Sequence, residues 1–272
     1  MDDQTLRKVQ MQLLEIVKEI QRVCNLYNIH YFMDSGTLLG AVRHKGFIPW
    51  DDDLDIGMLR KDYERFNEIA PKALGKDYFW QTWETDKDYP LPFGKVRKRN
   101  TLYVEKKSKE LQENGFFVDI LPYDFAPEDL KERKDLKRSQ THVFRTLLMK
   151  CNYQPWYENG KADYTKLLGY MPYKFMSLFY SKESLVEQHK MLTAKVGKTD
   201  FVYEQGGRFY YEYDWISKTI PMEFEGITLP ALVHYHEWLT AAYGDYMTPP
   251  PEGARENRHQ VYKIDFGETD KQ

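Results

Sequence analysis

Long hydrophobic runs are missing from this sequence: no stretch approaches the roughly 20 consecutive apolar residues that a membrane-spanning helix needs, and the opening MDDQTLRKVQ lacks the apolar segment of a secretory leader. A cytoplasmic chain is expected, touching a membrane at most peripherally. Cysteine is scarce as well. Cys24 and Cys151 are the only two and stand far apart, so neither a disulfide framework nor a four-cysteine zinc site can be built from them. Charge of one sign is not in excess either: the net charge is -3, which removes the electrostatic reason to expect a nucleic-acid partner. Repeats and low-complexity segments are absent.

What is present is a globular balance of 42% hydrophobic and 30% charged residues over 272 positions, enough for one large domain or two modest ones. Leu6, Val9, Leu13, Ile16, Val17, Ile20, Val23 and Leu26 recur at three- and four-residue steps, the pattern of an amphipathic helix. A short strand in IHYFMD, a turn at Ser35-Gly36 and a helix in TLLGAVRH are expected next. Leu54, Ile56 and Met58 then alternate with Asp53, Asp55 and Gly57, the period of a strand with one polar face. A helix in KDYERFNEIAPKAL and strands in YFWQTW, FGKVRK, TLYVE and FFVDILPY complete the reading of residues 1–125. Residues 126–272 read as mainly helical, with Pro127, Glu128 and Asp129 as a helix start, then a mixed stretch with ITLP, HYHEWLTAAYG and the proline-rich TPPPEG.

The chemistry is concentrated in DDDLD. Residues two apart in a strand share a face, so Asp53 and Asp55 project together, and FFVDILPY can supply Asp119 from a neighbouring strand. Carboxylates so close repel one another unless a cation compensates them. A divalent ion that prefers oxygen, magnesium or manganese, suits such a set when substrate phosphates complete its ligands. An EF-hand calcium loop starting at Asp51 would need Gly at its sixth and Glu at its twelfth position, where this sequence has Ile56 and Asp62. Upstream, Ser35-Gly36 opens a helix whose free N–H groups and dipole favour a phosphate. Asp51 and Asp52 are read as shaping the turn, and Arg97, Lys98 and Arg99 as an exposed strand end. His234, His236 and His259 receive no metal role because no cysteine stands near them. The basic run KERKDLKR is read as a solvated helix face able to touch an anionic membrane.

The run DSGTLLGAVRHKGFIPWDDDLDIGM resembles the signature of the LicD family, which groups with fukutin-like proteins in the nucleotidyltransferase superfamily; FGKVRKRNT and YGDYMTPPPE look similar to that family too. The resemblance implies an α+β fold: a nucleotidyltransferase core with a small mixed sheet carrying the carboxylates, followed by a largely helical half that shapes acceptor and donor specificity. It implies transfer of phosphocholine or a related phosphoalcohol from a CDP-linked donor nucleotide to a glycan or lipid-linked glycan acceptor, such as a teichoic acid precursor, at the inner face of the cell membrane. Asp53 and Asp55 would ligate Mg2+ or Mn2+, with Asp119 as a further ligand or as the group that helps deprotonate the acceptor. Ser35, Gly36 and Thr37 would approach the donor phosphates, and Arg43 or Lys95 would offer them positive charge. Nucleotidyl transfer to a small molecule and a non-catalytic binding module are the competing readings.

Overall fold

A computed structural model describes residues 1–105, 113–158, 161–205, 207, 209–255 and 261–267. Helix α1 (Asp3–Tyr27) is capped by the Asp2 carboxylate, which accepts from the Thr5 N–H, and ends at Asn28 in a left-handed conformation. Its stripe from Leu6 to Val23 is buried as expected, but Leu26 is exposed. At about 100° per residue Leu26 falls on the far side of the helix, and Cys24 takes the inward place.

Then come β1 (Phe32–Met33), α2 (Ser35–His44), β2 (Asp55–Leu59), α3 (Arg60–Ala73), β3 (Tyr78–Gln81), β4 (Gly94–Lys98), β5 (Leu102–Glu105) and the central nine-residue β6 (Phe117–Phe125). The second half runs α4 (Leu130–Lys150), β7 (Tyr157–Glu158), β8 (Lys161–Ala162), α5 (Tyr164–Met176), α6 (Lys182–Ala194), β9 (Phe201–Glu204), β10 (Tyr211–Glu212), α7 (Tyr213–Ser217), β11 (Thr219–Phe224), β12 (Ile227–Leu232), α8 (Tyr235–Tyr243) and β13 (Val261–Asp265). The architecture is mixed α/β. Its main sheet has the order β1-β2-β6-β4-β3, with β9 and β10 attached beside the end of β6, and β2 and β6 pair in parallel while the other neighbours are antiparallel.

The second half is mainly helical only as far as α6, after which short helices α7 and α8 alternate with strands. From Phe201 the chain returns strands to the first half: β9 pairs β6, β13 pairs β5, and β11 and β12 form a hairpin through Glu225 and Gly226, both at positive φ. A two-residue turn of that kind matches the right-handed twist of its strands, which is why TIPMEF-EG-ITLPAL folds as a hairpin. Leu229, Leu232, Trp238 and Leu239 accordingly share one core with α1, α2 and the sheet, while Leu147, Cys151 and Leu185 make a separate small cluster between α4 and α6. Among the described residues no helix is long and apolar enough to cross a membrane.

Two contacts fix the region around α2 and β2. The hairpin tip reaches back, Glu225 accepting from the Phe47 N–H at 3.1 Å and pairing with Arg7 at 2.6 Å. On α3, Arg60 grips Asp124 of β6 through two 2.7 Å hydrogen bonds, and Gln205 donates to the same carboxylate. That charge pair lies on the face of β6 opposite Asp119 and Tyr123.

Close packing of α2 on the turn after it depends on Gly40. A Cβ there would sit 2.4 Å from the Gly46 carbonyl oxygen and 3.2 Å from the Ile48 amide nitrogen, both backbone atoms with little freedom to move. Gly40→Ala is expected to destabilise the fold by about 1–3 kcal/mol, as overpacking does. Thermal unfolding followed by circular dichroism checks this, and an unchanged Tm contradicts the packing.

Candidate active site

Strand β1 turns into α2 at Asp34, fully buried, whose side chain accepts from the Ser35 N–H at 2.8 Å and from the Tyr123 hydroxyl at 2.9 Å on both oxygens. Ser35 adopts φ 48°, a left-handed conformation unusual for a residue with a Cβ. Thr37, expected beside phosphates, is buried instead, and its hydroxyl accepts from the Asp55 N–H at 2.8 Å while the Asp34 N–H donates to the Asp55 carbonyl at 3.1 Å. The opening turn of α2 is therefore stitched directly to the start of β2. Gly36 lets Asp51 come close, since a Cβ at Gly36 would lie 2.7 Å from its Oδ2.

Register then assembles the acids. Asp55 is paired in parallel with Asp119, Asp119 is paired with Lys95 of β4, and Lys95 with Gln81 of β3, so four side chains form a row across one face of the sheet. Asp53 lies two residues ahead of β2 rather than inside it, and the ladder still reaches back to Leu54, whose carbonyl accepts from the Asp119 N–H. Lys95 donates to Asp119 Oδ1 at 2.6 Å and lies 3.6 Å from the centre of the Phe117 ring. Its charge, expected at the phosphates, is directed at the carboxylate row.

The expected exposed strand end is corrected. Arg97 is buried, donates to Gln81 at 2.6 Å and to the Gly115 carbonyl at 2.8 Å, and stacks over Phe117. Its alternation on β4 places it inward, two residues from Lys95. Lys98 binds Gln12 and Glu15 of α1, and Arg99 pairs with Glu113. Asp52 shapes the turn as read: it is buried and accepts from the Tyr103 hydroxyl at 2.7 Å.

A cleft of about 440 Å³ opens beside this row. Ser35, Gly36, Arg43, Asp51, Asp53 and Asp55 line one side, and Tyr243, Asp245, Tyr246, Thr248 and Pro250 the other. Arg43 ties the two sides together by donating to the Tyr246 carbonyl at 2.9 Å, and its guanidinium and that of Arg255 both face the Trp50 ring. Burial and the charge of Arg255 hold the Arg43 pKa below its ordinary value. The Arg43 cation therefore shares a wall with Asp51, Asp53 and Asp55, an arrangement able to hold a polyphosphate by its oxygens and to present acid groups to what approaches it.

Two acids escaped the sequence reading. Asp34 is legible after the fact as the cap before Ser35; Glu204 of β9 carries no local signal and reaches the site only because it is in register with Tyr123. Burial pushes Asp34 up to about 7, against the hydrogen bonds from Tyr123 and Ser35. Burial and then the charges of Asp34 and Asp119 push Glu204 up to about 8. Asp55 is driven well above the usual carboxylate range by burial first and then by Asp53, Asp119, Asp34 and Glu204.

Among the described residues no three His, Cys, Asp or Glu side chains converge closely enough to hold an ion by themselves. The donors present are carboxylate oxygens whose charges disfavour one another, which fits a hard divalent ion that takes one or two carboxylates and draws its other ligands from phosphate. His234 lies 3.5 Å from Asp214 and from Glu237, and His236 bonds the Tyr246 hydroxyl; His259 falls outside the described residues.

Comparison with known proteins matches residues 28–155 to the family described as LicD/FKTN/FKRP, nucleotidyltransferase domain. Lipopolysaccharide cholinephosphotransferase LicD of Haemophilus influenzae is 29% identical over 262 residues, covering 94% of this chain and 96% of that protein. Uncharacterized protein RT0683 of Rickettsia typhi is 32% identical over 186 residues, 64% of this chain and 53% of that protein. Ribitol 5-phosphate transferase FKRP of Homo sapiens is 38% identical over 63 residues, 23% of this chain and 13% of that protein.

The raised acids set a stability trend whose sign follows from linkage. Asp34 and Glu204 hold protons more tightly in the folded chain than at their ordinary values of 3.8 and 4.5, so the unfolded chain ionises first and stability falls as pH rises toward about 8. Without divalent ions, Glu204→Gln is expected to unfold at a higher temperature than the parent chain near pH 8, with the gap closing below about pH 5. Midpoints measured across that range for both proteins check it; a gap that is constant or reversed rules out the raised Glu204.

Proposed function

We propose that this chain is a member of the LicD family, whose nucleotidyltransferase domain matches residues 28–155, and that it is a metal-dependent transferase moving phosphocholine, or a related phosphoalcohol, from a CDP-linked donor to a cell-surface glycan or its precursor. One observation carries the reading: Asp53 and Asp55 line a cleft together with the first turn of α2 and Arg43, and Asp119 is in register with Asp55 on the neighbouring strand. The names of the relatives, a cholinephosphotransferase and a ribitol 5-phosphate transferase, support a phosphoalcohol as the group transferred.

In this mechanism the diphosphate of the donor lies in the cleft, with its oxygens between the Ser35 hydroxyl, the first-turn N–H at Gly36 and the guanidinium of Arg43. Arg255, also over the Trp50 ring, adds positive potential to the same end. Asp53 and Asp55 would hold magnesium or manganese, with Asp119 beside them; when bound, the ion neutralises phosphate charge and lowers the cost of nucleotide departure. An acceptor hydroxyl forms the new oxygen–phosphorus bond as the bond to CMP breaks, its proton passing to a carboxylate of the row and CMP carrying away the electron pair. Lys95 holds Asp119 in place for that step. The side chains contribute position and charge, which is where phosphoryl transfer draws most of its acceleration.

The test is release of CMP from CDP-choline, with CDP-glycerol and CDP-ribitol as competing donors, magnesium and a glycan acceptor. Asp53→Asn and Asp55→Asn are each expected to lower kcat/KM by roughly a thousandfold while Tm is retained, the loss anticipated when a charge-stabilising group is removed. A nucleotide found attached to the product would replace this reading with nucleotidyl transfer. Turnover undiminished in both Asp53→Asn and Asp55→Asn would remove these carboxylates from the chemistry.

A further inference from the structure

Helix α5 is oriented against the usual rule for a surface helix. None of its residues is buried, and its apolar side chains face solvent: Tyr164 is 74%, Leu168 71%, Met171 52% and Phe175 63% exposed. These positions recur at four, three and four residues and so form a single stripe along the helix. The turn that follows continues it, with Leu178 and Phe179 each 70% exposed. The side of the helix bearing Leu167, Tyr170 and Tyr173 faces the protein instead. Tyr170 and Tyr173 lie against the Arg145 guanidinium of α4, and Lys174 donates to the Met149 carbonyl and to Asn152.

A contiguous apolar stripe left in water is costly and marks a surface that something covers. Charge identifies what. In a chain of net charge -3, α4, on which α5 packs, carries seven lysines and arginines against two acids, and α5 itself carries Lys166 and Lys174 and no acid. Lys131, Lys134, Lys137 and Arg138 on α4 are exposed. An apolar stripe of aromatic and aliphatic residues on a basic element is the pattern of a helix lying in the interface plane of a membrane. We propose that α5 and the turn after it dock this protein onto an anionic lipid surface, with Leu168, Phe175 and Phe179 entering the boundary between headgroups and acyl chains. Nothing in this depends on which group the enzyme transfers.

Flotation of the full chain with vesicles tests it, using phosphatidylcholine alone and equal parts phosphatidylcholine and phosphatidylglycerol. The parent chain is expected to float with the anionic vesicles, less with the neutral ones, and less at high salt. The double variant Leu168→Ser/Phe175→Ser is expected to lose vesicle binding by roughly tenfold or more, from removal of buried apolar area. Because both side chains are exposed, its unfolding midpoint should match the parent, which separates lost docking from lost folding. Failure of the parent chain to float, or equal flotation of the double variant, overturns the proposal. So does a dimer of the parent chain in solution that the double variant dissolves while neither floats, since a second copy would then be what covers the stripe.

Discussion

Repulsion among carboxylates governs this molecule. Asp53, Asp55, Asp119, Asp34 and Glu204 come from four separate places in the chain, and they are held near enough that the others raise the proton affinity of Asp55, and Asp34 and Asp119 that of Glu204. Left to themselves they would separate, so each is fixed by something stronger than the repulsion. Asp55 and Asp119 are bound by strand register, Asp34 by the Tyr123 hydroxyl and the Ser35 amide, and the Asp55 backbone by Thr37. Lys95 gives direct relief at Asp119. A region that breaks the ordinary preference for balanced buried charge is what a functional site looks like when the surrounding fold is sound.

The reverse face of the same strand shows the contrast. There Asp124 is answered by Arg60 through a bidentate pair and by Gln205, joining α3, β6 and β9 in a network where charge is matched. Side chains alternate along β6, so the pleat alone separates Asp124, matched by an arginine, from Asp119, whose register partner Asp55 is another carboxylate. The buried tyrosines and phenylalanines around the row deepen the effect by excluding water that would otherwise screen it.

Much of this was legible in the sequence where the signal is local. The stripe of α1, the alternation of β2, the lone acid in β6 and the Ser-Gly helix start each follow from spacing alone, and these elements formed as expected except that β2 begins at Asp55 rather than at Asp53. Leu26 failed because a run of apolar residues was followed past the point where helical rotation turns it outward. Arg97 failed because a basic triplet reads as solvated, although alternate residues of a strand face opposite sides. Glu204 and Arg255 were invisible because their roles come from pairing across long stretches of chain, a property no window of sequence contains. The return of the second half to the first sheet is of the same kind: FVYE is a modest strand signal until β6 offers it a partner.

The hairpin tip has a bearing on how the protein comes into being. Glu225 secures the Phe47 amide and the first helix through Arg7, and the Tyr246 carbonyl secures Arg43, so the loop bearing the acids is clamped by residues about 180 to 200 positions later. During synthesis, residues 1–125 leave the ribosome long before those clamps exist. A nascent chain can form the first helix and the parallel pair early, yet its cleft takes shape only after the last quarter of the polypeptide has emerged. Catalytic competence thus arrives late in translation, and a ribosome that stalls short of that point releases a chain with its acids present and its cleft unformed.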